Sequence, residues 1–486
     1  MKRWLVSAVM ILAVSLQAAT PVSCRPAAGD SLSPAPQQII TSDMIRSAGL
    51  TRLSDILLLL DDWDVNTIDG FTYQTCAGGL SSFQGQTWIL MIDGQRFDID
   101  LFDNKCLNAL PVTVDQVDYI EVFNLPQIHQ GEFTERGLIH IHTFRPSPGI
   151  SFIGRYSAGN ETGDPGPYRY TDRSSRNVDK TGPDMASRIG YGGDQLYALG
   201  GLVVRDHFPT HDAAMFVRNR QIGYPDYPKQ SVSASSVRFG LTGQQGTYEI
   251  IGGRSDFDDF LFWKPFGREI PVTSHFTHVG INGGSSNSSD LDIRYLLKYS
   301  EHKLDKRSNA FDLYLDWKMN NFYMNMEGCH RSAFFQVRTG FGYDRYSLYT
   351  AAPLDKGHYS IVKIYGQIDF PLSHDIRQSI GLHAARNDAN TAFKGYINSC
   401  WELSPNQAIT AHLSFSERLF EEDNSLWYWV EQGYRLPLGV IVVPVASTKF
   451  DYEVTGDFSK SRQFISDLTW KGRTGGHSLE IRCRYS

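Results

Sequence analysis

Beyond about residue 150, apolar and polar positions alternate with a period of two. In 291–299, Leu291, Ile293, Tyr295, Leu297 and Tyr299 share one face, and Asp292, Arg294 and Lys298 share the other. In 311–318, Phe311, Leu313, Leu315 and Trp317 oppose Asp312, Tyr314, Asp316 and Lys318. Ile409, Ala411, Leu413 and Phe415 oppose Thr410, His412, Ser414 and Ser416. Near the end, Leu479, Ile481, Cys483 and Tyr485 oppose Glu480, Arg482 and Arg484. Such alternation predicts β-strands with one apolar face. Two architectures satisfy it: a sandwich that packs the apolar faces together, or a membrane barrel that turns them to lipid. Strands of about ten residues suit a tilted membrane crossing. So does the mixture of short turns, read at Met319-Asn320-Asn321 and Gly475-Gly476, with long connections at 159–183, 207–230 and 255–274. About 16 to 18 strands fit after Ile150.

The stretch 39–143 follows a different pattern. Ser42 can cap a short helix over 43–48, with Gly49 in the left-handed position after it. Thr51 can cap a second helix carrying Leu53, Ile56, Leu57 and Leu60 on one side. TWILMIDG is a buried strand ending in an Asp93-Gly94 turn, and DYIEV and LIHIH are two more short strands. The sequence Arg145-Pro146-Ser147-Pro148-Gly149 closes this unit. The predicted organisation is a signal peptide at 1–23, a flexible segment at 24–37, an α/β domain at 38–147 and a β-barrel at 148–486.

Composition narrows the class. The chain has 486 residues, more than one ordinary core holds, and a formal net charge of -7 without a long basic block, which speaks against nucleic acid as a partner. Aromatics reach 13% while mean hydropathy is only -0.30, a pairing that suits a membrane β-barrel better than a helical membrane protein. Lys2 and Arg3, followed by an apolar core over 4–16, read as an export signal too short to span a bilayer. Cys24 raises a lipid-anchor reading, which Pro21 opposes by standing where an aliphatic residue is wanted. In an exported chain the cysteines can pair. Cys76 and Cys106 flank the central strand of the α/β unit and are the favoured disulfide, two buried free thiols being the other reading; Cys329, Cys400 and Cys483 yield no pairing scheme.

The order of pieces in 39–143 resembles the plug domain of TonB-dependent outer-membrane receptors. Ile40, Thr41, Ile45, Gly49, Leu53, Asp55 and Ile56 match the first block of that family; Ile92, Asp93 and Gly94 the second; Ile120, Glu121, Val122 and Pro126 the third; Gly137, Ile139, Ile141 and Thr143 the fourth. Three positions depart from it. Gln84 precedes Gly85 where the family has Arg, Asn124-Leu125 replaces Arg-Gly, and His140 replaces Asn. The segment 419–439 resembles, more weakly, a recurrent barrel segment of the same receptors. Tyr485, one residue from the end, resembles the terminal aromatic by which outer-membrane barrels are assembled. The resemblance implies a plug inside an outer-membrane barrel, outer-membrane lipid around it, TonB as a partner, and uptake of a scarce small molecule or metal chelate such as a ferric siderophore or cobalamin. The family barrel has 22 strands, more than the count made here. The departures, and the Pro-rich 20–37 without a convincing TonB-contacting box, raise the alternative of a non-transporting binding barrel uncoupled from TonB.

No phosphate loop, nucleophile elbow or zinc-type cysteine spacing is present, so the expectation is a non-enzyme without a cofactor. His140 and His142 alternate on one strand and read either as paired ligands or as polar lumen-facing positions. His207 and His211, with Asp206 and Asp212, can meet a metal chelate from an outer loop. Trp263, with Phe262 and Phe266, can stack on a planar ligand or belong to the interfacial girdle.

Overall fold

The computed structural model describes most of residues 36–485; the longest stretches outside it are 78–87, 161–179, 208–229, 307–316, 420–434 and 445–459. The predicted signal segment, Cys24 and nearly all of 20–37 lie outside the described residues.

The N-terminal unit contains strands β1 (Gln38–Thr41), β2 (Trp63–Thr67), β3 (Tyr73–Ala77), β4 (Ile89–Ile92), β5 (Gln95–Arg96), β6 (Asp100–Leu101), β7 (Asn104–Lys105), β8 (Val117–Phe123), β9 (Ile128–His129), β10 (Glu132–Phe133) and β11 (Leu138–Thr143). Five of them form a mixed sheet in the order β1-β8-β11-β4-β5, with β11 and β4 parallel. The helix α1 (Ser42–Ser47) is capped one residue earlier than expected: the Thr41 hydroxyl accepts the Met44 N–H. Gly49 has φ +69°, and the Leu50 N–H reaches back to the Ile45 carbonyl, the wrapped C-terminus that the sequence predicts. The second predicted helix is instead a 3-10 helix, Leu53–Leu59, with Arg52 rather than Thr51 at its start and no side-chain cap. Seven residues carrying Leu53, Ile56 and Leu57 inward make it a packing element as well as a hydrogen-bonded one.

One face of the sheet builds the core. Ile40, Leu90, Ile92, Ile120, Val122, Ile139 and Ile141 pack against Ile45, Leu53, Ile56 and Leu57. The opposite face carries Tyr119, Glu121 and Phe123 directly across from His142, His140 and Leu138.

The second unit is an antiparallel sheet of fifteen strands, β12 (Gly149–Asn160) through β24 (Gln407–Leu419), then β27 (Lys460–Thr474) and β28 (His477–Tyr485). β25 (Arg435–Leu438) and β26 (Ile441–Pro444) form a separate hairpin. Its sidedness decides between the two architectures. Along β18 (Leu291–Lys306), Leu291, Leu297 and Tyr299 are exposed while Leu296, Lys298 and Ser300 are buried. Ile250, Ile281, Ile364 and Leu382 are likewise exposed, and Arg238, Glu249, Asn325, Asp344 and Lys363 buried. A soluble sandwich would reverse this. Nine residues from Leu291 to Tyr299, at about 3.3 Å each and a 45° tilt, give an apolar band roughly 20 Å tall, of the height that outer-membrane barrels present to lipid.

Two expectations fail. Met319-Asn320-Asn321 is no turn: β19 (Trp317–Arg331) runs through it, and the reversal follows at Ser332, whose N–H meets the Phe335 carbonyl. Asn321 is buried on the lumen side, where a polar residue satisfies a strand as well as a turn. The long connection at 255–274 is largely strand. β16 (Gly246–Trp263) and β17 (Arg268–Ser288) stay paired up to Trp263–Arg268, so Phe262 and Trp263 are strand residues. The Asp-rich register there is simply the hairpin rising above the apolar band.

Candidate functional site

The plug occupies the lumen and touches strands from β12 to β23. Arg155 on β12 and Arg188 on β13 reach Asp115, Gln116 bonds Ser236 on β15, and Lys394 on β23 meets Glu135. Two buried charge networks dominate the contact.

The first is built on the Asp93-Gly94 turn, whose residues take φ 47° and 81°. The Asp93 carboxylate accepts the Thr143 N–H at 2.8 Å and the Thr143 hydroxyl at 2.7 Å, closing the end of the β4–β11 pair. Arg238, from barrel strand β15 (Gln230–Gly243), inserts its guanidinium 3.0 Å from Asp93 and 2.7 Å from Glu249. Arg145 and the Tyr197 hydroxyl complete the shell of Glu249. The turn is further pinned by Asn282, which donates to the Asp93 carbonyl at 2.6 Å and accepts from Gln95 at 3.1 Å. In the second network, Lys363 of the barrel lies 2.7 Å from both Glu132 of the plug and Asp344 of the barrel, and Arg96 meets Glu132 at 3.1 Å. Burial would raise the Glu132 carboxyl, but Lys363 and Arg96 outweigh it and hold the group below its ordinary range.

Between these networks the barrel-facing side of the plug sheet borders a cavity of about 770 Å³, lined among others by Tyr119, His140, His142, Glu249, Arg294 and Glu327. Its barrel wall includes Gly246 and Ser285, next to the short turns, so it lies at the short-turn end of the lumen. Here the β8–β11 register sets His140 opposite Glu121, and β9 brings in His129. The His140 Nδ1 stands 3.0 Å from His129 Nε2 and 3.4 Å from Glu121 Oε2; His142 Nε2 stands 2.9 Å from the same carboxylate oxygen and stacks on Tyr119. The His140 Nε2 accepts the Gly94 N–H at 2.9 Å. A neutral His140 therefore carries its proton on Nδ1 and donates toward Glu121 and His129. Burial pushes His140 down to about 4, with His142 adding to it and Glu121 opposing; His129 is depressed for the same first reason. Burial alone would raise Glu121, yet the bonds from His140 and His142 hold it well below the usual carboxylate range. The cluster sets one carboxylate beside two buried imidazoles, His129 and His140, whose charged forms burial disfavours.

Of the residues singled out in the sequence, Ile40 lies in the plug core and Asp55 bonds Arg52 within the 3-10 helix. Asp93, Gly94 and Thr143 meet at the Arg238 network, and Glu121 at the histidine cluster. Pro126 is buried beside Asn124, whose side-chain Oδ1 accepts the Trp63 indole N–H at 2.5 Å; that amide stands where the family has Arg-Gly. Gly137, at φ +98°, lies so close under the Trp63 ring that a Cβ would come within 2.8 Å of it. Gln84, Gly85, Cys106 and His211 lie outside the described residues, as do the side chains of Cys76, His207 and Trp263. Cys329 and Cys483 are free thiols. His129, Arg238, Glu249 and Lys363 escaped sequence reasoning. A charged residue among lumen-facing polar ones is not distinctive, and His129 belongs to a strand of two residues.

No protein-family profile matches the sequence, and no curated protein matches it. Solved structures do. The siderophore receptor PirA from Acinetobacter baumannii superposes with a TM-score of 0.68 at 11% identity, over 92% of this chain and 69% of that one. A ferric enterobactin receptor, PfeA from Pseudomonas aeruginosa, gives 0.68 at 11% identity, over 92% and 70%. The copper transporter OprC gives 0.62 at 12% identity, over 93% and 71%. The chain thus has the fold of a plugged outer-membrane β-barrel. Within that class it is the fold of the TonB-dependent receptors, the family whose plug blocks the sequence of 39–143 resembles.

Proposed function

We propose that this chain is an outer-membrane receptor that binds a scarce solute and admits it by rearranging its plug. The observation that carries this reading is the plug itself: a domain built on an apolar core that, of the described barrel residues, only Phe276 joins, seated in the lumen mainly by polar and ionic contacts, with a smaller apolar contact of Ile128 and Phe133 on Tyr365 and Tyr396. Apolar seating would weld the two units into one core. Seating that is mainly charged leaves a body that can be displaced while exposing only these few apolar contacts, as a gate requires. The solved structures of this fold include siderophore receptors and a copper transporter, so a ferric siderophore or another metal chelate is the substrate class to try first. Energised uptake needs ligand and an inner partner such as TonB to favour different plug states.

The number of tethers favours a second reading. Arg238, Lys363, Lys394 and Asn282 each reach the plug from a different strand. A plug so held also fits a binding barrel that does not transport and is not coupled to TonB. Growth under limitation of iron or copper chelates separates the two. Cells carrying the chain and TonB should grow where cells lacking either do not. Growth that depends on the chain and is indifferent to TonB supports uncoupled binding; growth indifferent to the chain rejects uptake of that substrate class.

A further inference from the structure

We propose that Glu121, His129 and His140 form a binding site for a divalent transition-metal ion on the cavity-facing side of the plug, and that its occupation releases the Gly94 N–H from His140. The donor atoms Glu121 carboxylate O, His129 Nε2 and His140 Nδ1 all lie within 4.8 Å of one another. Donors of a tetrahedral zinc ion with bonds near 2.0 Å are about 3.3 Å apart. Two of the three separations, 3.0 and 3.4 Å, already have that value. Two imidazoles and one carboxylate suit Zn²⁺ or Cu²⁺, and three protein donors leave a further coordination position, as in sites that exchange their ligands. His142, bonded to the same Glu121 oxygen at 2.9 Å, would orient the carboxylate. The site belongs to the plug strands alone, so it does not depend on the uptake reading or on the outer loops.

The tautomer of His140 gives the site its consequence. In the empty site the Gly94 N–H donates to Nε2, so the proton is on Nδ1. A metal at Nδ1 needs that lone pair. The Nδ1 proton leaves to solvent, another is taken up at Nε2, and the imidazole stays neutral. An N–H on Nε2 would then point at the Gly94 N–H, and the bond between them is lost. Gly94 belongs to the turn that Asn282 and Arg238 pin to the barrel wall. Metal on the plug and the seating of this turn therefore compete for one imidazole, which is a coupling in the thermodynamic sense.

The test uses the full chain in detergent, with Zn²⁺ as the probe. Equilibrium dialysis of wild type is expected to show a saturable site, weakened at least tenfold in Glu121→Gln, His129→Ala and His140→Ala. His275→Ala should leave it intact, because His275 alternates with buried Ser274 and Phe276 and faces outward. Zinc-edge absorption spectroscopy of the wild type, which needs no variant to fold, should show two imidazoles and an oxygen ligand. Hydrogen exchange at the Gly94 amide should accelerate on Zn²⁺ addition. Equal zinc uptake by wild type and all three variants, or a spectrum without two imidazoles, overturns the site. A site with the expected ligands but an unchanged Gly94 amide overturns the coupling.

Discussion

Replacing Arg238 by Met removes one guanidinium from three partners at once: Asp93 at 3.0 Å, Glu249 at 2.7 Å and the Thr143 hydroxyl at 2.6 Å. Arg238, Asp93 and Glu249 all have side chains less than a tenth exposed. Met fills much of the same volume, so the loss is electrostatic. Removing one partner of a buried ion pair costs about 3–5 kcal/mol, because the other partner is left charged and desolvated. Compensation puts this case at the lower end. Asp93 keeps two bonds from Thr143, and Glu249 keeps Arg145 and the Tyr197 hydroxyl. About 3 kcal/mol corresponds to a roughly hundredfold fall in protection of amides whose exchange requires the plug to leave its seat. Hydrogen exchange of β8 and β11, with the full chain in detergent, measures it. The barrel amides report whether the damage is confined to the plug. Adding Glu249→Gln removes one orphaned charge and should restore part of the loss. Protection within threefold of wild type in Arg238→Met would refute the assignment of this network as the seat of the plug.

Other consequences are accessible to the same preparation. Gly137→Ala forces a side chain onto φ +98° and under the Trp63 ring; it should destabilise the plug by about 3 kcal/mol, seen as a lower denaturant midpoint of plug exchange with the barrel unchanged. Leu297→Arg puts a charge within the lipid-facing band and should weaken barrel folding into vesicles by about 2–4 kcal/mol, whereas Leu297→Phe should be tolerated. Acidification should loosen the plug through Glu132. Its folded carboxyl lies below its unfolded value near 4.3, so the stabilisation is complete above that value and disappears as pH falls through the lower folded one. Plug protection measured from pH 6 to 3 should drop in wild type and drop less in a Glu132→Gln, Lys363→Met pair.

The fold was legible in the sequence where local chemistry decides conformation. Asp93-Gly94, Gly49 and Gly137 all take positive φ, and each marks a place where the backbone tolerates little else. The alternation around Leu291–Tyr299 named the strand and its two faces, but not which face was outside. That answer needed the exposure of Leu297 beside the burial of Lys298. Turn chemistry misled at Met319-Asn320-Asn321, because a polar, plug-filled lumen accepts Asn in mid-strand. The same ambiguity concealed the site. His140 and His142 were visible as polar residues in an otherwise apolar strand, yet His129 comes from a separate two-residue strand, and the carboxylate that joins them from a third. Arg238 and Lys363 find their partners across 145 and 231 positions of chain respectively, separations on which local pattern carries no information.

The central claim is that a displaceable plug closes a membrane barrel, and ionic current across a planar lipid bilayer tests it most directly. The full chain should insert without opening a steady pore, and the Arg238→Met, Lys363→Met variant should show intermittent openings as its tethers are lost. A variant lacking 38–143 should conduct continuously. Equal conductance in the full chain and in the variant without 38–143 would contradict the account.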